Sequence, residues 1–184
     1  VNPFIDVAED AWYYDGVKYV HQNGLMAGTS ANTFEPETDT TRAMLVTILY
    51  RLEGSPSMED EIWGYPYADV EAQSWYGTAV YWARLHGIVK GYNDELFGPG
   101  DVITREQMAV ILYRYAQYKG YDVSARGDLG KYTDGDQTSS WALEAVRWAN
   151  AAGLINGTDN AALLPQGSAT RAQAAAILTR FCQT

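Results

Sequence analysis

The stretch ITREQMAVIL, residues 103–112, sets a threonine and an arginine immediately before an apolar run. Threonine is a favoured helix N-cap, because its hydroxyl accepts one of the unpaired N–H groups of the first turn. The stretch therefore predicts a helix that begins after Thr104, with Arg105 at its first position. A cation is misplaced there: the N-terminal end of a helix carries roughly half a positive charge, and the mismatch costs about 0.3–1 kcal/mol. The same misplacement recurs in TTRAM at 40–44 and ATRAQ at 169–173, which set Thr41 before Arg42 and Thr170 before Arg171.

Aligning the three arginines exposes an internal repeat. Arg42 and Arg105 lie 63 residues apart and Arg105 and Arg171 lie 66 apart; Trp12, Trp75 and Trp141 keep both spacings. Gly24, Gly87 and Gly153 follow, as do Gly28, Gly91 and Gly157, while Asp6, Asp69 and Asp134 recur at 63 and 65. FIDV, YADV and YTDG echo one another, as do GLMAGT, GIVKGY and GLINGT. So many matches at nearly one spacing establish a threefold repeat.

Each unit reads as helix, loop, helix. An apolar face opens with Trp12, Val17 and Val20 in the first unit, Trp75, Ala79, Val80 and Ala83 in the second, and Trp141, Ala145, Val146 and Ala149 in the third. Gly24, Gly87 and Gly153 are placed as C-terminal caps, and Gly28, Gly91 and Gly157 in a tight turn at positive φ. A loop through Pro36, Pro99 or Pro165 leads to the second helix, whose apolar face in the first unit is Leu45, Ile48, Leu49 and Leu52. Gln107 and Gln173 complete capping boxes with Thr104 and Thr170, and Met44 is expected to break the box in the first unit. The units span 1–53, 67–120 and 132–184, with 54–66 and 121–131 as linkers rich in Gly, Ser, Pro and charge. Two short helices bury too little surface to stand alone. The expected fold is one cooperative all-α assembly of three helix-loop-helix repeats.

Composition narrows the function. A net charge of −10 argues against a nucleic-acid partner, whose phosphates require a basic surface, and against docking on anionic lipid. No apolar run reaches 18 residues, so no membrane insertion is expected. Cys182 is the lone cysteine, which excludes an intramolecular disulfide and any multi-cysteine metal site and leaves the compartment open. The chain starts at Val1 without a methionine or signal peptide, as expected of a mature segment or a fragment. His21 and His86 occupy non-equivalent positions of the repeat, with no clustered ligands beside them, so no metal or cofactor is expected. No nucleophile motif, phosphate loop or carboxylate pair stands out, and no catalytic residue is assigned. A feature echoed in every unit suits a binding module better than an enzyme.

The order Phe-x-Asp-Val, Trp-Tyr, Gly-x-x-x-Gly, Phe-x-Pro, Thr-Arg-Ala and an apolar helix ending in Tyr-Arg resembles the S-layer homology domain, in three tandem copies over nearly the whole chain. The resemblance implies a compact pseudo-threefold helical bundle, monomeric, with a groove between each pair of adjacent units. It also implies a secreted protein anchored non-covalently to the bacterial cell wall. The implied partner is a secondary cell wall polysaccharide bonded to peptidoglycan, often bearing a pyruvate ketal and hence a carboxylate. The family's tetrapeptide is typically Thr-Arg-Ala-Glu. Here it reads TRAM, TREQ and TRAQ, without the glutamate in any unit.

Arg42, Arg105 and Arg171 are thereby the candidate anion ligands, each adding its fork of donors to the free N–H groups of a helix N-terminus. In the alternative reading each pairs with Asp6, Asp69 or Asp134 and locks adjacent units together. The two readings are compatible, since such pairing can orient a binding group, and the three aspartates stand with the arginines among the candidate ligand-binding residues. Trp12, Trp75 and Trp141 either cover the C–H face of a sugar or pack in the core. Gly28, Gly91 and Gly157 either shape a turn or let a ligand approach the backbone. A function of another class, a helical-repeat scaffold for protein–protein or self-association, would instead require a broad exposed apolar or acidic surface.

Overall fold

The structure, a computed structural model, describes residues 1–61 and 67–184; the last part of the expected first linker, 62–66, lies outside the described residues. The described residues form six α-helices and no β-strand: α1 Tyr14–Gln22, α2 Arg42–Leu52, α3 Gly77–Leu85, α4 Arg105–Tyr118, α5 Leu143–Ala151 and α6 Arg171–Gln183. One 3-10 turn, Leu129–Lys131, falls in the expected second linker.

The threonines begin α2, α4 and α6. Thr41, Thr104 and Thr170 accept the N–H of Met44, Gln107 and Gln173 at 3.1–3.2 Å. In return the Gln107 and Gln173 side chains accept the N–H of Thr104 and Thr170. The box expected to fail at Met44 is present, because the methionine Sδ lies 3.4 Å from the Thr41 nitrogen and takes the glutamine's place. A thioether is a weak acceptor, so this is the weakest of the three boxes. The first helices start two residues after each tryptophan, not at it, and end against glycines in the left-handed region: Gly24 at φ 68°, Gly87 at 71° and Gly153 at 74°.

The second helix of each unit packs against the first helix of the next. α2 meets α3, α4 meets α5, and α6 returns to α1, so the third unit closes on the first. Where the three pre-helix segments converge, their backbones hydrogen-bond in a cycle. Thr40 donates to Ala169, Ala169 to Ile103 and Ile103 to Thr40, at 2.8, 3.2 and 2.8 Å. Leu45, Leu49, Met108, Leu112, Ala174 and Leu178, at matched positions on α2, α4 and α6, are fully buried. This closure places open clefts at the junctions of the third unit with the first and of the first with the second.

Candidate functional site

The helix N-termini are occupied. Arg42, Arg105 and Arg171 donate their backbone N–H groups to the carbonyls of Asp101, Gly167 and Thr38 at 2.7–2.9 Å. The residues that follow them, Ala43, Glu106 and Ala172, donate to the carbonyls of Pro99, Pro165 and Pro36. The N–H groups expected to await an anion instead join one unit to the next.

The arginine side chains cross the same junctions. They are 6%, 9% and 6% exposed, and their Nε atoms donate to the carbonyls of Phe97, Leu163 and Phe34 at 2.8–3.0 Å. The expected ion pairs with aspartate are not formed. Asp6 accepts the N–H groups of Phe34 and Glu35, Asp69 those of Phe97 and Gly98, and Asp134 those of Leu163 and Leu164. In each unit the aspartate therefore holds the N–H, and the neighbouring unit's arginine the C=O, of one residue: Phe34, Phe97 or Leu163. The residue after it lies in the left-handed region, Glu35 at φ 55°, Gly98 at 74° and Leu164 at 53°. Such backbone is costly for a side-chain-bearing residue, and the carboxylate's two hydrogen bonds hold it in place. Those bonds also keep the Asp134 carboxyl below the usual carboxylate range. Burial lowers the pKa of all three arginines, against nearby negative groups that raise it.

Two of the guanidinium groups stack on rings at their junctions. Arg171 stacks over Phe34 at 4.5 Å, and Arg42 over Tyr92 and Phe97 at 4.5 and 4.9 Å. Arg171 also lines an open cleft of about 250 Å³ with Gly28, Met44, Arg51 and Trp75. Arg42 lines one of about 450 Å³ with Gly91, Gln107, Arg114 and Trp141. A cleft thus draws its arginine from the preceding unit, its floor from one unit and its tryptophan from the following unit. The matched positions at the remaining junction are Arg105, Gly157 and Trp12, and Arg105 Nη2 donates to the Asn156 carbonyl at 2.8 Å.

The tryptophans are not core residues. Trp12, Trp75 and Trp141 are 65%, 63% and 60% exposed, with Trp12 and Trp75 standing edge-on to Tyr13 and Tyr76. Of the turn glycines only Gly91 has positive φ, at 76°; Gly28 and Gly157 do not. All three are required for space instead. A Cβ on Gly28, Gly91 or Gly157 would collide with the ring of Phe4, Tyr67 or Tyr132, the aromatic residue two before the repeated aspartate.

Arg51 and Arg114 are cleft residues that the sequence reading did not single out. Their signal was available, since Arg51, Arg114 and Arg180 repeat at the same 63 and 66 spacings.

A closed ring of three helical units, with an arginine and an exposed tryptophan brought together at its junctions, defines a binding module. The family model for the S-layer homology domain matches residues 3–43, 66–109 and 131–175, and the chain belongs to that family. It is similar to an endoglucanase of Bacillus sp. (strain KSM-635), 31% identical over 96% of this chain and 18% of the relative. It is similar also to the S-layer protein sap of Bacillus anthracis, 27% identical over 96% of this chain and 21% of the relative. The cellulosome-anchoring protein of Acetivibrio thermocellus is 26% identical over 85% of this chain and 35% of the relative. The chain spans at most 18% of the length of the endoglucanase, and 9% of a similar amylopullulanase of Thermoanaerobacterium thermosulfurigenes. Membership makes it a surface-anchoring module of a secreted protein, one that binds cell wall components.

Proposed function

We propose that the chain anchors its protein non-covalently by taking an anionic cell wall polysaccharide into the junction clefts, and that it acts by binding alone, as a monomer. One observation carries this reading. A largely buried guanidinium with no carboxylate partner among the described residues shares an open cleft with an exposed indole, at Arg171 with Trp75 and at Arg42 with Trp141. A carboxylate such as that of a pyruvate ketal would give the guanidinium the charge-assisted partner it lacks, and the indole would cover the apolar face of the ring. The names of the S-layer and cellulosome-anchoring relatives fit a role in attachment. Several clefts on one polymer would raise retention through effective concentration without any new contact.

The test is sedimentation of the purified chain with isolated cell walls, before and after the polysaccharide is removed by acid extraction. The chain should sediment with intact walls only. Replacing Trp12, Trp75 and Trp141 together by alanine should release about nine-tenths of the bound chain, while surface substitutions of this kind shift stability by only about 0.5 kcal/mol each. Equal sedimentation with extracted walls would overturn the reading.

A further inference from the structure

The three junctions are not chemically equal. In the cleft over α4, Arg42 donates only through Nε, and its two terminal nitrogens make no hydrogen bond to the described residues. The matched Arg105 and Arg171 each spend one terminal nitrogen on a backbone carbonyl, of Asn156 and Ala27. Arg42 is 6% exposed and lines the cleft, and its two free terminal nitrogens, which are not among the fully buried unpaired atoms, keep contact with the open cleft.

Two further cations stand in this cleft. Lys90 occupies the position held by Ala27 and Asn156 in the other units. Arg114 is half-buried and makes no hydrogen bond or ion pair with the described residues, whereas its counterpart Arg51 donates to the Leu25 carbonyl at 3.2 Å. No carboxylate lines the cleft. The acids nearest Arg42 are engaged elsewhere, Asp69 with the Phe97 and Gly98 N–H groups and Asp101 with the Tyr92 hydroxyl at 2.7 Å. Three cations without an acid, in a chain of net charge −10, form a local inversion of the molecule's field.

The wall carrying the tryptophan is also fixed here by a contact that the other two units lack among the described residues. Glu106, 3% exposed, stands where the other units have Ala43 and Ala172. It accepts the Ser139 N–H at 3.0 Å, the Ser139 hydroxyl at 2.7 Å and the Gln166 amide at 3.2 Å. That clamp lies two residues before Trp141.

We propose that the cleft over α4 is a two-point anion site, taking a saccharide segment with negative groups on two adjacent sugars. Arg42 holds one through its terminal nitrogens, Arg114 and Lys90 hold the other, and Trp141 covers the ring between them. The volume of about 450 Å³ falls within the range of about 300–1,000 Å³ common for small-molecule sites. This rests on the reading of the clefts as saccharide sites and names the ligand class that one of them selects.

Calorimetric titration with two synthetic disaccharides tests it: a pyruvyl-ketal hexosamine linked to a neutral hexose, and the same hexosamine linked to a hexuronic acid. The chain should bind the dianionic disaccharide about tenfold more tightly, a difference of about 1.4 kcal/mol. Lys90→Gln, a change at an exposed side chain, should remove part of that preference. Arg114→Gln should remove most of it. Equal affinity of the unaltered chain for both disaccharides, or a preference that survives in the Lys90→Gln, Arg114→Gln double variant, overturns the two-point site and leaves the anchoring reading intact. Binding of neither disaccharide overturns both.

Discussion

Asp134 shows how a repeated residue can matter without meeting the partner its charge suggests. Its carboxylate accepts two backbone N–H groups, and Leu164 sits in left-handed backbone beside it. Hydrogen bonds to the charged form lower the pKa, here from Leu163 first and then Leu164. A carboxyl group whose folded value lies below its unfolded value of about 3.9 adds stability above the unfolded value and loses it as pH falls through the folded one. Asp134→Asn should therefore melt below the parent at pH 7, and the difference should shrink as the pH approaches 2. A difference that is the same at both pH values would contradict this role. The sequence marked Asp6, Asp69 and Asp134 as candidate site residues or as ion-pair partners of the arginines, but not their task at the backbone. Arginine and aspartate do act at one point, yet a peptide unit lies between them, and opposite charge alone suggested direct contact. The arginine's other contacts lie 55, 58 and 137 residues away, beyond the reach of any local pattern.

The helices divide into two sets according to how clearly their starts are written. α2, α4 and α6 begin where a threonine hydroxyl meets the third N–H of the helix, a local event with a local signature. α1, α3 and α5 begin after Tyr13, Tyr76 and Ala142, with no side-chain cap. Nothing short-range marks those starts, and the apolar tryptophans extended the apparent helical face by two residues. Their exposure follows from lying in the turn before the helix, where they escape the face that packs. The Met44 box yields a prediction at this scale. Met44→Gln replaces a sulfur acceptor at 3.4 Å with the amide oxygen that caps α4 and α6. The variant should gain about 0.5–1 kcal/mol, seen as a higher urea midpoint with an unchanged slope.

At the scale of the whole molecule, repeat number and the all-α class were legible because matched spacings and helical periodicity survive in one sequence. Closure of the third unit on the first was implied only by resemblance, since the contact of α6 with α1 joins residues at opposite ends of the chain. With each second helix buried against the next unit, no unit is expected to hold its fold alone. The chain should unfold in one calorimetric transition with equal calorimetric and van't Hoff enthalpies. Deleting 132–184 should abolish that transition, because it uncovers α4 and removes the partner of α1 together. Separate transitions for three units would show them to be independent domains.

The cycle of backbone bonds through Thr40, Ala169 and Ile103 has an architectural consequence. An open solenoid can gain or lose repeats at either end, but here every donor and acceptor in the cycle already has its mate, and no face remains for a fourth. Copies of this design must therefore be added to a longer polypeptide as complete triplets, each with its own set of clefts, so avidity in such proteins would rise in steps of three.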